Sequence, residues 1–408
     1  MIAKNVTVVG QGYVGLPIAV RAAQFGHKVI GYDIDSSKIS SLKLGKTNFS
    51  DITVSQILDL QSSGNLCFTT ELDNKIRTDI YVIAVPTPLD SKHQPDLSML
   101  ESACTMISRF IQPNTLVINE STSFIGTLRN FVKTSIENKS SLVDLEFAVA
   151  PERIDPSSEI WNISNTPRIV AGLTKAASDK VLEFYNTICS DVHQVSSPEV
   201  AEASKLIENT FRLVNISLIN ELSEIADKLG FSIHESIKAA STKPFGFMPF
   251  FPSVGIGGHC IPVDPSYLQY SAETAGVKSD FINLANRINL SMPKNIANRI
   301  KSEMGGDLVN KKIQLVGISY KPNVSDLRES PALSLMEELI KHGAIIKWFD
   351  PLVGEYKDQK SSPLDPDIDL GLIVAPHDTI DYSVWLENNT KVFDLSPNTI
   401  NYGWTKFF

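Results

Sequence analysis

The sequence predicts an α/β protein: two Rossmann-like doubly wound parallel-sheet domains joined by a long central helix. Three observations carry this prediction. A β-branched run, Val6 to Val9, leads at once into Gly10-Gln11-Gly12-Tyr13-Val14-Gly15 and a helical pattern. The order strand, helix, Gly, strand, Asp recurs from Ile313 to Asp350. Between them Ser197-Pro198-Glu199 opens one helical pattern that Gly230 can stop, about thirty residues long.

Composition bounds the classes open to it. The chain has 408 residues, 42% hydrophobic and 20% charged, ample for a core and long enough for two or three domains. We place these at 1–196, a dinucleotide-binding domain; 197–300, a central helical part with catalytic and dimerising roles; and 301–408, a second Rossmann-like domain. No apolar run is long enough to span a bilayer, so no membrane partner is expected. The first ten residues lack the pattern of a secretory leader, and a cytoplasmic protein is expected. Cys67, Cys104, Cys189 and Cys260 are scattered without a C-x-x-C pair, which argues against a disulfide framework and a structural zinc site; no metal is expected. Net charge −9 argues against nucleic acid as a partner. Anions would be held only by local donors such as helix N-termini and a few Lys or Arg.

In the first domain a helix from Leu16 to Phe25 ends at Gly26, and Lys28 to Tyr32 forms a strand that ends in Asp33. The glycines allow the tight turn, close approach of a pyrophosphate and helix–strand packing. Asp33 would accept from the adenosine ribose and repel a 2′-phosphate, so NAD is the expected cofactor rather than NADP. Further strands run through 79–85, 115–119 and 146–150. Thr87, Thr122 and Glu152 follow their carboxyl ends, where such sheets bind ligands, and where turn or cap roles are equally common.

On the central helix Leu206, Val214, Leu218, Leu222, Ile225 and Leu229 keep helical spacing. The length suits a domain connector or a dimer interface. Lys205 and Asn209 are one turn apart and Arg212 follows. They form either a solvated polar face or an amine and amide aimed at one oxygen. Gly255-Ile-Gly257-Gly258-His-Cys260-Ile-Pro-Val-Asp264 then puts one thiol behind three glycines. Cys260 is either a nucleophile with a lowered pKa or an inert packed thiol.

The last domain reads as strands at 313–317, 345–349, 370–375 and 391–393, with a helix from Ser330-Pro331 to His342 stopped by Gly343. Asp79-Ile-Tyr-Val-Ile-Ala-Val-Pro has a counterpart in Asp369-Leu-Gly-Leu-Ile-Val-Ala-Pro. This second copy lacks G-x-G-x-x-G, so a different, mononucleotide-like ligand is expected. Tyr320, Lys321 and Arg328 follow its first strand, the two cations serving either as phosphate donors or as surface charge.

Taken together, Gly10–Pro17, Pro151-Glu-Arg153, Ala203–Arg212, Gly257–Pro265 and Tyr320-Lys321 through Pro331 resemble the UDP-glucose/GDP-mannose dehydrogenase family over nearly the whole chain. The resemblance implies oxidation of C6 of a UDP-sugar to the carboxylate with two NAD and no metal. Cys260 would capture the aldehyde as a thiohemiacetal that becomes a thioester. Lys205 and Asn209 would hold the oxyanion. Asp264, with Lys205 and a water held by Thr122, would take the alcohol proton, and Glu152 would activate water for hydrolysis. It implies cofactor contacts at Gly10, Gln11, Gly12, Tyr13, Val14, Gly15, Asp33, Lys38, Thr87, Thr122 and Arg328. Substrate contacts would fall to Glu152, Arg153, Lys205, Asn209, Arg212, Phe250, Gly257, Gly258, Tyr320 and Lys321.

The run Lys243-Pro-Phe-Gly-Phe-Met-Pro-Phe250 and the Ile-Pro-Val-Asp after Cys260 are most similar to the UDP-N-acetylglucosamine 6-dehydrogenases. Ser253-Val254, Ile125 and Asp394-Leu-Ser-Pro depart from that pattern. The alternatives are UDP-N-acetylmannosamine or UDP-glucose as substrate, a two-electron sugar or hydroxyacid dehydrogenase, a zinc enzyme using His259 and Cys260, and an NAD-binding module without turnover. A homodimer through the central helix is expected.

Overall fold

Each run read above as a strand forms one, with ends that differ by no more than two residues, and these strands fall into two separate sheets. The computed structural model describes residues 3–47, 52–73, 77–90, 94–142, 144–153, 160–259, 261–397 and 404–408. The chain divides into two units, 1–207 with 266–275, and 208–265 with 276–408.

The N-terminal unit holds β1 (Asn5–Val9), β2 (Lys28–Tyr32), β3 (Leu66–Thr69), β4 (Ile80–Ile83), β5 (Leu116–Asn119), β6 (Glu146–Val149), β7 (Arg168–Gly172) and β8 (Val192–Gln194). Their order in the sheet is β3-β2-β1-β4-β5-β6-β7-β8. The first six are parallel and in the order of a dinucleotide fold. Patterning did not reveal β3, β7 or β8, nor that β7 runs antiparallel to β6. The Gly15–Gln24 helix starts with Pro17 in its first turn and stops at Gly26, whose φ of 88° suits glycine. It buries Leu16, Ile18, Ala19, Ala22 and Ala23 against the sheet. Leu16 and Ile18 are fully buried, worth about 1.5–3 kcal/mol each.

The C-terminal unit holds β9 (Lys312–Val316), β10 (Ile345–Phe349), the short hairpin β11 (Glu355–Tyr356) and β12 (Gln359–Lys360), β13 (Leu370–Ile373), β14 (Val392–Asp394) and β15 (Thr405–Lys406). Its main sheet runs β10-β9-β13-β14-β15, parallel throughout. The repeat read from the sequence has a physical basis. In the first sheet Gly10 N–H donates to Tyr32 O, and Asn5 N–H donates to an Asp79 carboxylate oxygen. In the second, Gly317 N–H donates to Phe349 O, and Lys312 N–H donates to Asp369.

The central helix spans Pro198–Leu229, and Gly230 follows with φ 75°. Its apolar periodicity does not mark a core face. Leu218, Leu222, Ile225 and Leu229 are exposed, as are Val200, Ile207 and Phe211, whereas Leu206, Leu213, Ile219 and Ala226 are buried. No helix among the described residues is long and apolar enough to cross a membrane.

Candidate active site

The first βα turn is shaped for a pyrophosphate. Gly10 has φ 94°, and a Cβ there would lie 2.4 Å from Ala84 O. A Cβ on Gly15 would lie 1.8 Å from Gly10 O, so helix and strand meet at these two glycines. Gly12 faces open space within 4 Å, the room a ligand needs to reach its N–H. Gln11 is buried and donates through Nε2 to Val8 O and Gly10 O, while its Oε1 has no protein partner. Val14 precedes the helix, and Tyr13 is exposed at the turn. Asp33, at the end of β2, is buried. Its Oδ2 accepts from Gln11 N–H at 2.8 Å and from Lys38 Nζ at 2.7 Å, and its Oδ1 accepts from Asp35 N–H. Burial opposes its charge, but the Lys38 ammonium and the two amides outweigh it and hold the carboxyl below the ordinary aspartate value. The residues therefore fit NAD.

Beside this turn the ends of β4, β5 and β6 are tied together. Thr87 Oγ1 donates to Thr122 O at 2.5 Å, and the Tyr267 hydroxyl donates to Thr87 O. Ser121 Oγ donates to Val85 O and accepts from Val85 N–H. Ile125, which departs from the family pattern of a proline, donates its N–H to Ser271 Oγ at 3.0 Å, a bond proline could not make. Glu152 lies 3.9 Å from Lys205 Nζ with both side chains mostly buried. That spacing is beyond a direct hydrogen bond and suits one bridging oxygen. Arg153 donates to Pro167 O, which fixes the backbone after Glu152.

Sequence reasoning missed a buried cluster behind Glu152. Glu120 follows β5 and opens no surface. Its carboxylate accepts from Arg168 Nη1 at 2.5 Å and from the Tyr185 hydroxyl. Arg168 Nη1 also reaches Ala150 O at 3.3 Å. Burial pushes the Glu120 carboxyl up despite Arg168. Also missed was Glu202, three residues before Lys205, which accepts from Gly126 N–H at 2.6 Å and Leu128 N–H at 2.9 Å. Burial pushes its carboxyl up to about 7 against those two donors. Glu120 stands in the run that ends in Thr122, the one signal that could have flagged it; its partners lie 48 and 65 residues away.

In the C-terminal unit, Asn209 Nδ2 donates to Asp264 Oδ2 at 2.5 Å, both buried. Asp264 begins the Asp264–Thr274 helix, where the N-terminal dipole favours its charge. Lys205 and Asn209 are thus not a solvated face, whereas Arg212 is exposed. Phe250 packs edge-on against Phe211. Cys260 lies outside the described residues. The glycines ahead of it are shaped by their neighbours. A Cβ on Gly257 would meet Glu329 O at 2.6 Å and Tyr320 Cβ at 2.8 Å; one on Gly258 would strike the Tyr320 ring at 2.8 Å. Gly258 N–H donates to Arg328 O. The Arg328 guanidinium grips Asp326 at both carboxylate oxygens and lies 3.2 Å from His259 Nδ1. Lys321 sits on the same turn as Tyr320. Ser253 donates its N–H to Asn220 Oδ1 on the central helix, and Val254 is buried in the core of the second sheet. Asp394 is also buried, accepting from Lys406 Nζ at 2.7 Å and from Ser396. Among the described residues no group of three or more His, Cys, Asp or Glu is arranged to hold a metal.

A doubly wound sheet with this glycine turn and this acid after β2 defines an NAD-binding oxidoreductase. The family models agree along the chain: the NAD binding domain of the UDP-glucose/GDP-mannose dehydrogenase family matches residues 4–189, its central domain 199–291 and its UDP binding domain 314–397. The chain belongs to this family. It is 35% identical over 390 residues to protein CapL of Staphylococcus aureus, covering 92% of this chain and 90% of that one. It is 34% identical over 358 residues to the UDP-N-acetyl-D-glucosamine 6-dehydrogenase of Pseudomonas aeruginosa, covering 86% and 83%. The structure of a UDP-D-ManNAc dehydrogenase from Pyrococcus horikoshii superposes with a TM-score of 0.88 at 29% identity, covering 99% of this chain and 97% of that one.

Proposed function

We propose that this enzyme oxidises C6 of a UDP-N-acetylhexosamine, first of all UDP-N-acetylglucosamine, from alcohol to carboxylate. The observation that carries the reading is the burial of Lys205, Asn209 and Asp264, three polar side chains with no part in the apolar core. Asp264, with Lys205 and a water held by Thr122, takes the alcohol proton. NAD, when bound, supplies the acceptor for a hydride at each of the two oxidations. The Cys260 thiolate forms a C–S bond to the aldehyde carbon, and Lys205 and Asn209 hold the resulting oxygen. Loss of the second hydride leaves a thioester at Cys260. Glu152 takes a proton from the water that attacks it; the C–S bond breaks and the uronic acid leaves with the thiolate restored.

The C-terminal sheet binds the UDP moiety, with Lys321 on its phosphates and Arg328 directed to the NAD pyrophosphate. In this reading residues 1–196, 197–300 and 301–408 are the cofactor, central and nucleotide parts. The exposed apolar stripe on the central helix supports a homodimer formed through it. The run Lys243–Pro265 favours the gluco sugar, while the likeness to the Pyrococcus structure favours UDP-N-acetylmannosamine as the second reading. The product suits the supply of surface polysaccharide precursors.

Incubating the protein with NAD and a panel of UDP-sugars, with NADH counted per sugar, tests this. Two NADH per UDP-N-acetylglucosamine are expected. One NADH per sugar would make it a two-electron dehydrogenase. Faster turnover of UDP-glucose than of both acetamido sugars would remove the substrate assignment and leave the family intact.

A further inference from the structure

The second sheet repeats the anchoring of the first and then departs from it at one residue. Asp33 and Asp350 follow equivalent strands, β2 and β10, and each accepts from the backbone after the neighbouring first strand. Asp33 adds Lys38. Asp350 is sealed: its side chain is 0% exposed, and Oδ2 accepts from Ile318 N–H at 3.0 Å, Ser319 N–H at 3.1 Å and Ser319 Oγ at 2.8 Å. Its Oδ1 accepts from Leu352 N–H. The remaining neighbour is His377, also buried, with Nε2 3.1 Å from Asp350 Oδ2. The other ring nitrogen, Nδ1, accepts from Asn323 N–H at 2.9 Å. An Nδ1 that accepts an amide proton leaves the ring proton on Nε2, facing the carboxylate. Asn323 is fastened a second time: Nδ2 donates to Asp378 Oδ2 at 2.7 Å and Oδ1 accepts from Asp378 N–H at 3.0 Å. Its φ is 63°, a conformation that needs such support in a residue other than glycine.

The turn between these two anchors carries Tyr320 and Lys321. We propose that His377 and Asp350 are positioning residues for the nucleotide: Asp350 fixes the start of the 318–323 turn, His377 fixes its end, and together they present Lys321 to a diphosphate. The proposal rests on the reading of this domain as the UDP site. Both acids hold the backbone of the first βα turn of their sheet, but the side chain added at Asp33 is Lys38 and the one added at Asp350 is the buried His377. The histidine is needed because one side chain must donate to a carboxylate and accept from an amide on opposite edges, which a lysine cannot do.

The test uses full-length enzyme and UDP as probe, with calorimetric titration for Kd and steady-state KM for UDP-N-acetylglucosamine and for NAD. His377→Ala removes both hydrogen bonds of the ring and should weaken UDP about tenfold or more, and leave the KM for NAD unchanged. His377→Asn places an amide oxygen near the Nδ1 position and should recover most of the affinity; His377→Gln, whose amide falls nearer Nε2, should not. Asn323→Gly acts from the surface, where folding is not at stake. It keeps the positive φ but removes both Asp378 bonds, and should weaken UDP several-fold. Wild-type protein that fails to bind UDP would overturn the nucleotide reading itself. UDP affinity unchanged in both His377→Ala and Asn323→Gly, with only the melting temperature lowered, would overturn the positioning role and leave the nucleotide reading standing.

Discussion

Arg168→Met isolates the buried pair behind Glu152. The substitution keeps most of the side-chain length and removes the charge, leaving Glu120 at 0% exposure with the Tyr185 hydroxyl as its remaining donor. Breaking a buried pair from one side costs about 3–5 kcal/mol, because the survivor keeps its desolvation penalty and loses its partner. Ala150 O loses its contact with Arg168 as well. In a unit of this size each kcal/mol lowers Tm by about 2–4 °C, so a loss of about 6–20 °C is expected in the N-terminal unit. The orphaned acid can escape by taking up a proton, and burial already raises its pKa in the intact protein. The loss should therefore be larger at about pH 8 than at about pH 5. Scanning calorimetry at both pH values is the assay. Replacing the whole group, as Glu120→Leu with Arg168→Met and Tyr185→Phe, should recover most of the loss, since no buried charge remains to be solvated. An Arg168→Met variant within about 1 kcal/mol of wild type at both pH values would refute the argument, because a dry, unpaired carboxylate cannot be that cheap.

Three further outcomes are expected. NAD should exceed NADP by about a hundredfold or more in kcat/KM, because the Asp33 carboxylate stays charged where a 2′-phosphate would sit, and Asp33→Ser should narrow that gap; equal use of both cofactors by wild type would sink the assignment. Glu202 has a folded pKa raised to about 7, so its stabilising contribution is present below its unfolded value near 4.5 and is lost as pH rises through about 7. The Tm difference between wild type and Glu202→Gln should therefore shift across that window, and parallel curves would count against it. Cys260→Ser should bind NAD and UDP-sugar but trap the sugar as a slow ester visible in intact-protein mass, and Cys260→Ala should stop at the aldehyde; full two-NADH turnover by the alanine variant would falsify nucleophilic catalysis.

Local signals made much of the fold legible. Strands at 5–9 and 312–316 are bounded by the same acids and glycines because both sheets use them to close the same backbone bonds, Asn5 to Asp79 and Lys312 to Asp369. A covalent sequence shows such repeats directly. It does not show pairings made across the fold. Arg168 meets Glu120, His377 meets Asp350, and Glu202 meets Gly126 and Leu128, all through tertiary contacts between residues that carry no shared motif. The antiparallel β7 was hidden for a similar reason, since strand direction is set by the connection and not by composition.

The central helix inverts the usual placing of apolar and polar faces. Its apolar positions Ile207, Phe211, Leu218, Leu222, Ile225 and Leu229 lie on one exposed face. The opposite, buried face carries Glu202, Lys205, Asn209, Ser217, Asn220 and Ser223. An amphipathic helix that served only its own core would show the reverse. Burying that many polar groups is unfavourable unless each finds a partner or a use. Ser217 donates to Ala285 O on the Asp280–Glu303 helix, Asn220 accepts from Ser253 N–H, and Glu202 accepts from two amides, so these fasten a neighbouring helix and two loop segments to the central helix. Lys205 and Asn209 instead meet the carboxylates of Glu152 and Asp264, groups able to move protons. The helix thus buries a polar stripe and exposes an apolar one, and the exposed stripe is the surface through which we propose that a homodimer forms. The proposed homodimer and the proposed roles of Lys205 and Asn209 both rest on this inversion, which a helix with conventional patterning would not show.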